Sequence, residues 1–310
     1  MRVSDLFILA GLLALLSSGI WLLWINLPGD DVFFKAYTAN ISVGNGIYSE
    51  GVQFYPNMRY KDREISYWVD DVCSSSKKSA IFDALAILAD RTLLSFVKRD
   101  ENSEIKYLCS KTAPKAEYEK HYVAGEGGPV EIINASVYFV ILSGEVALYR
   151  NEKCDKPQIA LHETLHALGF DHNNNPNSIM FPITDCNQEF DDYIVNEINN
   201  LYKVESLPDL VIESIKANKS RRLSKEYLNF EIIVGNFGLE DVEEALLNVY
   251  SGNNVIGEYN LQDIDIGVRR VLSVGGLELP RTREKIKFIV ELKDGKELSE
   301  ENNKIELHVI

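Results

Sequence analysis

The stretch His162-Glu163-Thr164-Leu165-His166-Ala167-Leu168-Gly169-Phe170-Asp171-His172 constrains the fold of this 310-residue chain more than any other. His162 and His166 stand four residues apart, so on a helix both imidazoles project from one face and can hold one metal ion. Gly169 admits the left-handed backbone that ends a helix, and His172 can then turn back as a third ligand. Three protein ligands leave the fourth tetrahedral position to water, the pattern of a catalytic zinc rather than a structural one. Glu163 is placed beside that water as a general base. A surface helix with two chance histidines is the plain alternative. With five His and nineteen Gly in the chain, the full pattern arises at random on the order of once in 100,000, which favours the zinc reading.

Eight residues after His172 comes Met180, inside the turn-forming run Asn173-Asn174-Asn175-Pro176-Asn177-Ser178-Ile179-Met180-Phe181-Pro182. Together the two stretches resemble the metzincin metallopeptidases, and the Phe-Pro ending is similar to the matrixin subgroup. In that family a Met-turn lies beneath the zinc, which implies a supporting role for Met180 without ligation. Glu189 to Tyr202 resembles the helix that closes matrixin domains, with Ile194, Ile198 and Leu201 on its apolar stripe. Upstream, Glu64 to Asp70 reads as an opening strand, and Ser74 to Ser76 can cap a helix running to about Val97. Ile105 to Leu108 and Val130 to Leu142 read as further strands, and Pro157 suits the first turn of the zinc helix. The resemblance implies an edge strand within Gly127 to Val140 that pairs with extended substrate.

The chain also departs from matrixins. His121 and His308 are the histidines left over, too few for a second, structural zinc, and no Cys precedes Cys73 to silence the metal from the N-terminal side. Gly125-Glu126-Gly127-Gly128 admits two readings, a flexible loop or oxygen ligands for calcium, and no calcium ligand set can be assigned.

Leu6 to Leu27 is 22 residues without a charge, with Trp21 and Trp24 near one end and Arg2 before it. That length spans a hydrocarbon core, and the charge asymmetry keeps the N-terminus in the cytoplasm and the body outside. A cleaved signal peptide and a secreted protein are the rival reading. Cys73, Cys109, Cys154 and Cys186 suit an exported protein, and three disulfide pairings are open. Cys73–Cys109 would tie the long helix to the next strand, and Cys154–Cys186 would brace the zinc site. Forty-seven acidic against 32 basic residues argue against nucleic acid as a partner and against peripheral attachment to anionic lipid.

From Asp209 onward short alternating runs replace the helical periods: Leu210–Ile212, Phe230–Val234, Ala245–Tyr250, Val255–Tyr259, Lys287–Val290 and Ile305–Ile310. Leu207-Pro208-Asp209-Leu210, Gly235-Asn236-Phe237-Gly238 and Glu301-Asn302-Asn303-Lys304 resemble the CARDB family of immunoglobulin-like domains. The expected architecture is therefore a transmembrane anchor or signal at 1–29 and a stem at 30–59. An α+β metzincin-like domain at 60–203 and an all-β immunoglobulin-like sandwich at 204–310 follow. The function this implies is a membrane-anchored zinc endopeptidase acting on extracytoplasmic protein or peptide substrates. The sandwich would present the protease or contact envelope components. The alternative is a decayed metzincin scaffold used for surface binding or adhesion. Every active-site part lies within 30–203, which is expected to fold and bind zinc by itself.

Overall fold

The computed structural model describes residues 33–38, 53–114, 123–281 and 285–307. The apolar run Leu6 to Leu27 lies outside them. Among the described residues no helix is long and apolar enough to cross a membrane.

The first body is a mixed sheet with helices packed through one core. Its strands are β2 (Met58–Tyr60), β3 (Glu64–Val69), β4 (Ser95–Lys98), β5 (Ile105–Cys109), β6 (Gly125–Asn134) and β7 (Phe139–Leu148). The order is β2-β7-β5-β3-β4, parallel throughout, while β6 runs antiparallel along β7. Because β2 and β5 follow one another along one side of β7, β6 occupies the other side as an edge strand.

Helix α1 (Ser75–Arg91) is capped by Ser74, whose side chain accepts from the Lys77 amide. Ile81, Leu85 and Leu88 recur at helical spacing and are buried against the sheet. The expected helix to Val97 stops early. Thr92 leaves the helix in extended backbone, its hydroxyl donates to the Leu88 carbonyl, and Ser95–Lys98 pairs with β3 instead. Sheet pairing outweighs the apolar periodicity there. Val130 to Leu142 likewise is not one strand but the two arms of a hairpin, turning at Ala135–Tyr138 with Ser136 at φ 68°.

Helices α2 (Gln158–Ala167) and α3 (Asp192–Lys203) complete the body. Cys73 pairs with Cys109, and Cys154 with Cys186. The C-terminus of α3 is held by two guanidinium groups. Arg59, 1 % exposed, donates to the carbonyls of Leu201 and Val204 as well as those of Tyr60 and Lys61, and lies 4.4 Å over the Tyr202 ring. Arg63 donates to the carbonyls of Tyr202 and Lys203. Helix ends leave carbonyls without intrahelical partners, and these cations satisfy them.

The second body is two four-stranded antiparallel sheets closed over a common apolar core. One has the order β1-β12-β9-β8, from β1 (Phe33–Thr38), β12 (Val268–Glu278), β9 (Lys225–Asn236) and β8 (Leu210–Arg222); the other has the order β11-β10-β13-β14, from β11 (Asn254–Ile264), β10 (Val242–Ser251), β13 (Ile286–Leu292) and β14 (Lys304–Leu307). The strands run longer than their apolar stretches, since cross-strand pairing extends into polar sequence. Strand β12, which carries Arg269 and Arg270, gave no strand signal. Strand β1 comes from the stretch read as a stem and pairs with β12. Asn236, fully buried, accepts from the amides of Asp209 and Gly238 and donates to the carbonyls of Glu240 and Ile264. The loop motif around it is thus a backbone brace.

The two bodies share a small apolar cluster, formed by Ala135 and Val140 of the β6–β7 hairpin with Leu239 and Ile266 of the sandwich.

Candidate metal centre

Helix α2 carries three of the four motif side chains. Its N-cap, Pro157, offers no side-chain bond, and Glu152 supplies the missing acceptor: one carboxylate oxygen takes the Ile159 amide, the other the amides of Lys153 and Cys154. Gln158, 2 % exposed, donates to the carbonyls of Asp185, Cys186 and Gln188 and so fastens the following loop to the start of the helix. Neither residue stood out in the sequence, because the bonds by which they anchor the helix reach Ile159, 7 positions from Glu152, and Gln188, 30 positions from Gln158. Gly169 at φ +94° ends the helix where a side chain would strain the backbone.

The turn brings His172 back to the helix. The Nε2 atoms of His162, His166 and His172 lie 3.0, 3.1 and 3.2 Å apart. Tetrahedral zinc with bonds of about 2.0–2.1 Å spaces its nitrogens roughly 3.3–3.4 Å apart, so the triad has the size of that coordination face. The remaining ring nitrogens agree. Nδ1–H of His162 donates to the Ile179 carbonyl at 2.5 Å and that of His166 to the Phe170 carbonyl at 2.7 Å, leaving both Nε2 lone pairs turned inward. Burial lowers His162 to about 3 and His166 to about 4, and it lowers His172 as well. Neutral imidazole is the ligand form, and these positions hold it at physiological pH. The donor set therefore fits a catalytic zinc, and it is the one group of three or more His, Cys, Asp or Glu side chains suited to an ion among the described residues.

Glu163 is 7 % exposed, and burial, reinforced by the charge of Glu126, raises its carboxyl to about 8. A dication held by the three histidines would oppose that shift. The stretch read as a flexible loop or calcium site, Gly125 to Gly128, is the first part of strand β6. A Cβ on Gly125 would meet Glu163 Cγ at 2.7 Å, and one on Gly127 would run into the Glu163 carbonyl. Glycine is needed here because β6 lies directly on α2, not because the backbone is mobile.

Met180 is fully buried, next in the chain to Ile179, whose carbonyl bonds to His162. The Ser178 hydroxyl accepts the Met180 amide at 3.1 Å, and the Met180 carbonyl accepts from the Asn173 amide. A cleft of about 1180 Å³ opens over the site between the glycines of β6 and the loop Phe181 to Cys186.

Residues 59–203 match the matrixin family model. Among solved structures, the chain is similar to high choriolytic enzyme 1, a hatching-enzyme zinc protease of the medaka fish Oryzias latipes. Identity is 18 %, the TM-score is 0.31, and the match covers 46 % of this chain and 90 % of that one. It is also similar to the CARDB domain of a Pyrococcus furiosus protein in complex with di-metal ions, at 20 % identity and a TM-score of 0.28, covering 33 % of this chain and 92 % of that one. No curated protein matches the chain.

Proposed function

We propose, from the match of residues 59–203 to the matrixin family model, that this protein is a zinc endopeptidase cleaving extended polypeptide outside the cytoplasm. The convergence of three inward-facing Nε2 atoms beside the buried Glu163 carries the reading. Zinc bound there would acidify a water molecule and polarise the scissile carbonyl.

The chain's own groups do the rest. Glu163 takes the proton of the attacking water, whose oxygen bonds to the carbonyl carbon. As the carbon–nitrogen bond breaks, Glu163 returns that proton to the departing amine. The carbonyls of Ile179 and Phe170 fix the tautomer and orientation of His162 and His166 through the reaction. Among the described residues strand β6 pairs with β7 alone, so its other edge can hold substrate in extended form by main-chain hydrogen bonds. This mode reads backbone rather than side chains and suits unfolded or flexible protein segments.

Two disulfides and the apolar N-terminal run support action outside the cytoplasm, with the chain anchored in a membrane. The retention of Glu163 disfavours a scaffold kept for adhesion, which has no use for a buried general base. The test compares Glu163→Gln with the parent on an unfolded protein substrate while zinc content is measured. Full zinc with a rate loss of about 10²–10⁴ is expected, and activity within roughly threefold of the parent would refute the role.

A further inference from the structure

The two ends of β6 rest on different bodies. Gly125 and Gly127 lie against Glu163 of the zinc helix. Ile133 and Ala135 lie against the sandwich, in the cluster formed with Val140, Leu239 and Ile266, where Ala135 and Leu239 are fully buried and Ile266 is 4 % exposed. Gly267, at φ +72°, closes that contact so tightly that a Cβ there would meet Ile133 Cγ2 at 2.7 Å and the Asn134 carbonyl oxygen at 3.0 Å. Between the ends the β6–β7 register shifts from Pro129 to Glu131 and again to Ile132. A bulge of this kind bends a strand and locally disrupts its ladder. The near half lies on the active-site helix, whereas the far half, roughly 20 Å along at about 3.3 Å per residue, pairs with β7 through Ile132 to Asn134 and rests on the sandwich through Ile133.

We infer that the sandwich is a positioning element of the protease: it sets the course of the distal half of β6 and so the length of substrate the edge can hold. The inference rests on the reading of β6 as the substrate-pairing strand. Leu239 and Ile266 are positioning residues that never touch the reacting atoms. They act by keeping the amides and carbonyls of Ile132 to Asn134 in line with the near half, so that a long substrate meets one continuous edge. A short substrate confined to the near half gains nothing from them.

The experiment uses the full chain carrying Leu239→Ser and Ile266→Ser, with Val255→Ser, exposed elsewhere on the sandwich, as control. Three readouts are taken: zinc content, amide exchange across β6, and KM and kcat on peptides of four and ten residues. The expected result is retained zinc and faster exchange at Ile132 to Asn134. KM for the long peptide rises about three- to tenfold, the loss of one or two main-chain hydrogen bonds, while the short peptide and kcat stay as in the parent. Unchanged exchange at Ile132 to Asn134, or equal shifts for both peptides, would overturn the inference. Should the double variant lose its zinc, Gly267→Ala carries the test, since it wedges the same contact from the sandwich side without removing apolar surface. If the parent cleaves neither peptide the endopeptidase reading fails by itself, and amide exchange still decides whether the sandwich holds β6.

Discussion

Ser178 donates its hydroxyl hydrogen to Asp191 Oδ2 at 2.7 Å, joining the turn that carries Met180 to the cap of α3. The other carboxylate oxygen of Asp191 accepts the Ile194 amide, and Asn173 donates to the Ser178 oxygen from the segment after His172. One hydroxyl thus links the third histidine's loop, the Met-turn and the closing helix. Ser178 is fully buried, so Ser178→Ala strands the side-chain amide of Asn173 and part of Asp191. A hydrogen bond to a charged group contributes about 1.5–3 kcal/mol, and a loss of that size in chemical denaturation is expected, together with weaker zinc retention.

Metal and fold should be linked. The triad's geometry preexists binding, so zinc stabilises the folded chain alone, by about 4 kcal/mol at a thousandfold excess over its dissociation constant. A chelator should lower the unfolding temperature of the parent and added zinc should restore it. In His162→Ala, His166→Ala neither treatment should move the transition, since a lone His172 cannot hold the ion. Stoichiometric zinc in that variant by metal analysis would sink the assignment.

Neighbouring glycines should respond in opposite ways. A methyl at Gly127 has no room against the Glu163 backbone, whereas one at Gly128 meets nothing within 4 Å. Gly127→Ala must push β6 off α2, with an overpacking cost of about 1–3 kcal/mol and a fall in activity as Glu163 is displaced. Gly128→Ala should leave both unchanged. Thermal unfolding and peptide turnover of the pair check this.

Glu297 should make the sandwich less stable as pH rises. Burial, with the Asp209 charge contributing, lifts its carboxyl from the ordinary 4.5 to about 7, although the Leu210 amide and the Asn303 side chain donate to it. Below about pH 4.5 both folded and unfolded chains hold the proton. Between there and about 7 only the folded chain holds it, so stability falls with rising pH and is level above. Glu297→Gln should remove that slope. Denaturant midpoints of parent and variant should therefore diverge from pH 5 to 7 and run parallel above; a constant offset across the range would exclude Glu297 as the cause.

From its sequence alone the chain reveals which three histidines come together. His162, His166 and Gly169 lie within one helix and its end, so local spacing decides which way each side chain faces. The closing helix followed because its place along the chain is itself a motif. Local reading failed where distant partners decide. Tertiary contact makes Gly125 to Gly128 a strand, because only a sheet neighbour and a helix surface show why side chains are barred at Gly125 and Gly127. It also ends α1 at Arg91 so that β4 can join β3, turns Glu152 and Gln158 into anchors of the zinc helix, and buries Arg59 among carbonyls 142 to 145 residues away. Above all it sets the sandwich against the β6–β7 hairpin. Ala135, Val140, Leu239 and Ile266 look like ordinary apolar positions until the fold brings them together, since hydrophobic attraction has no direction and its partners are chosen only when the chain packs.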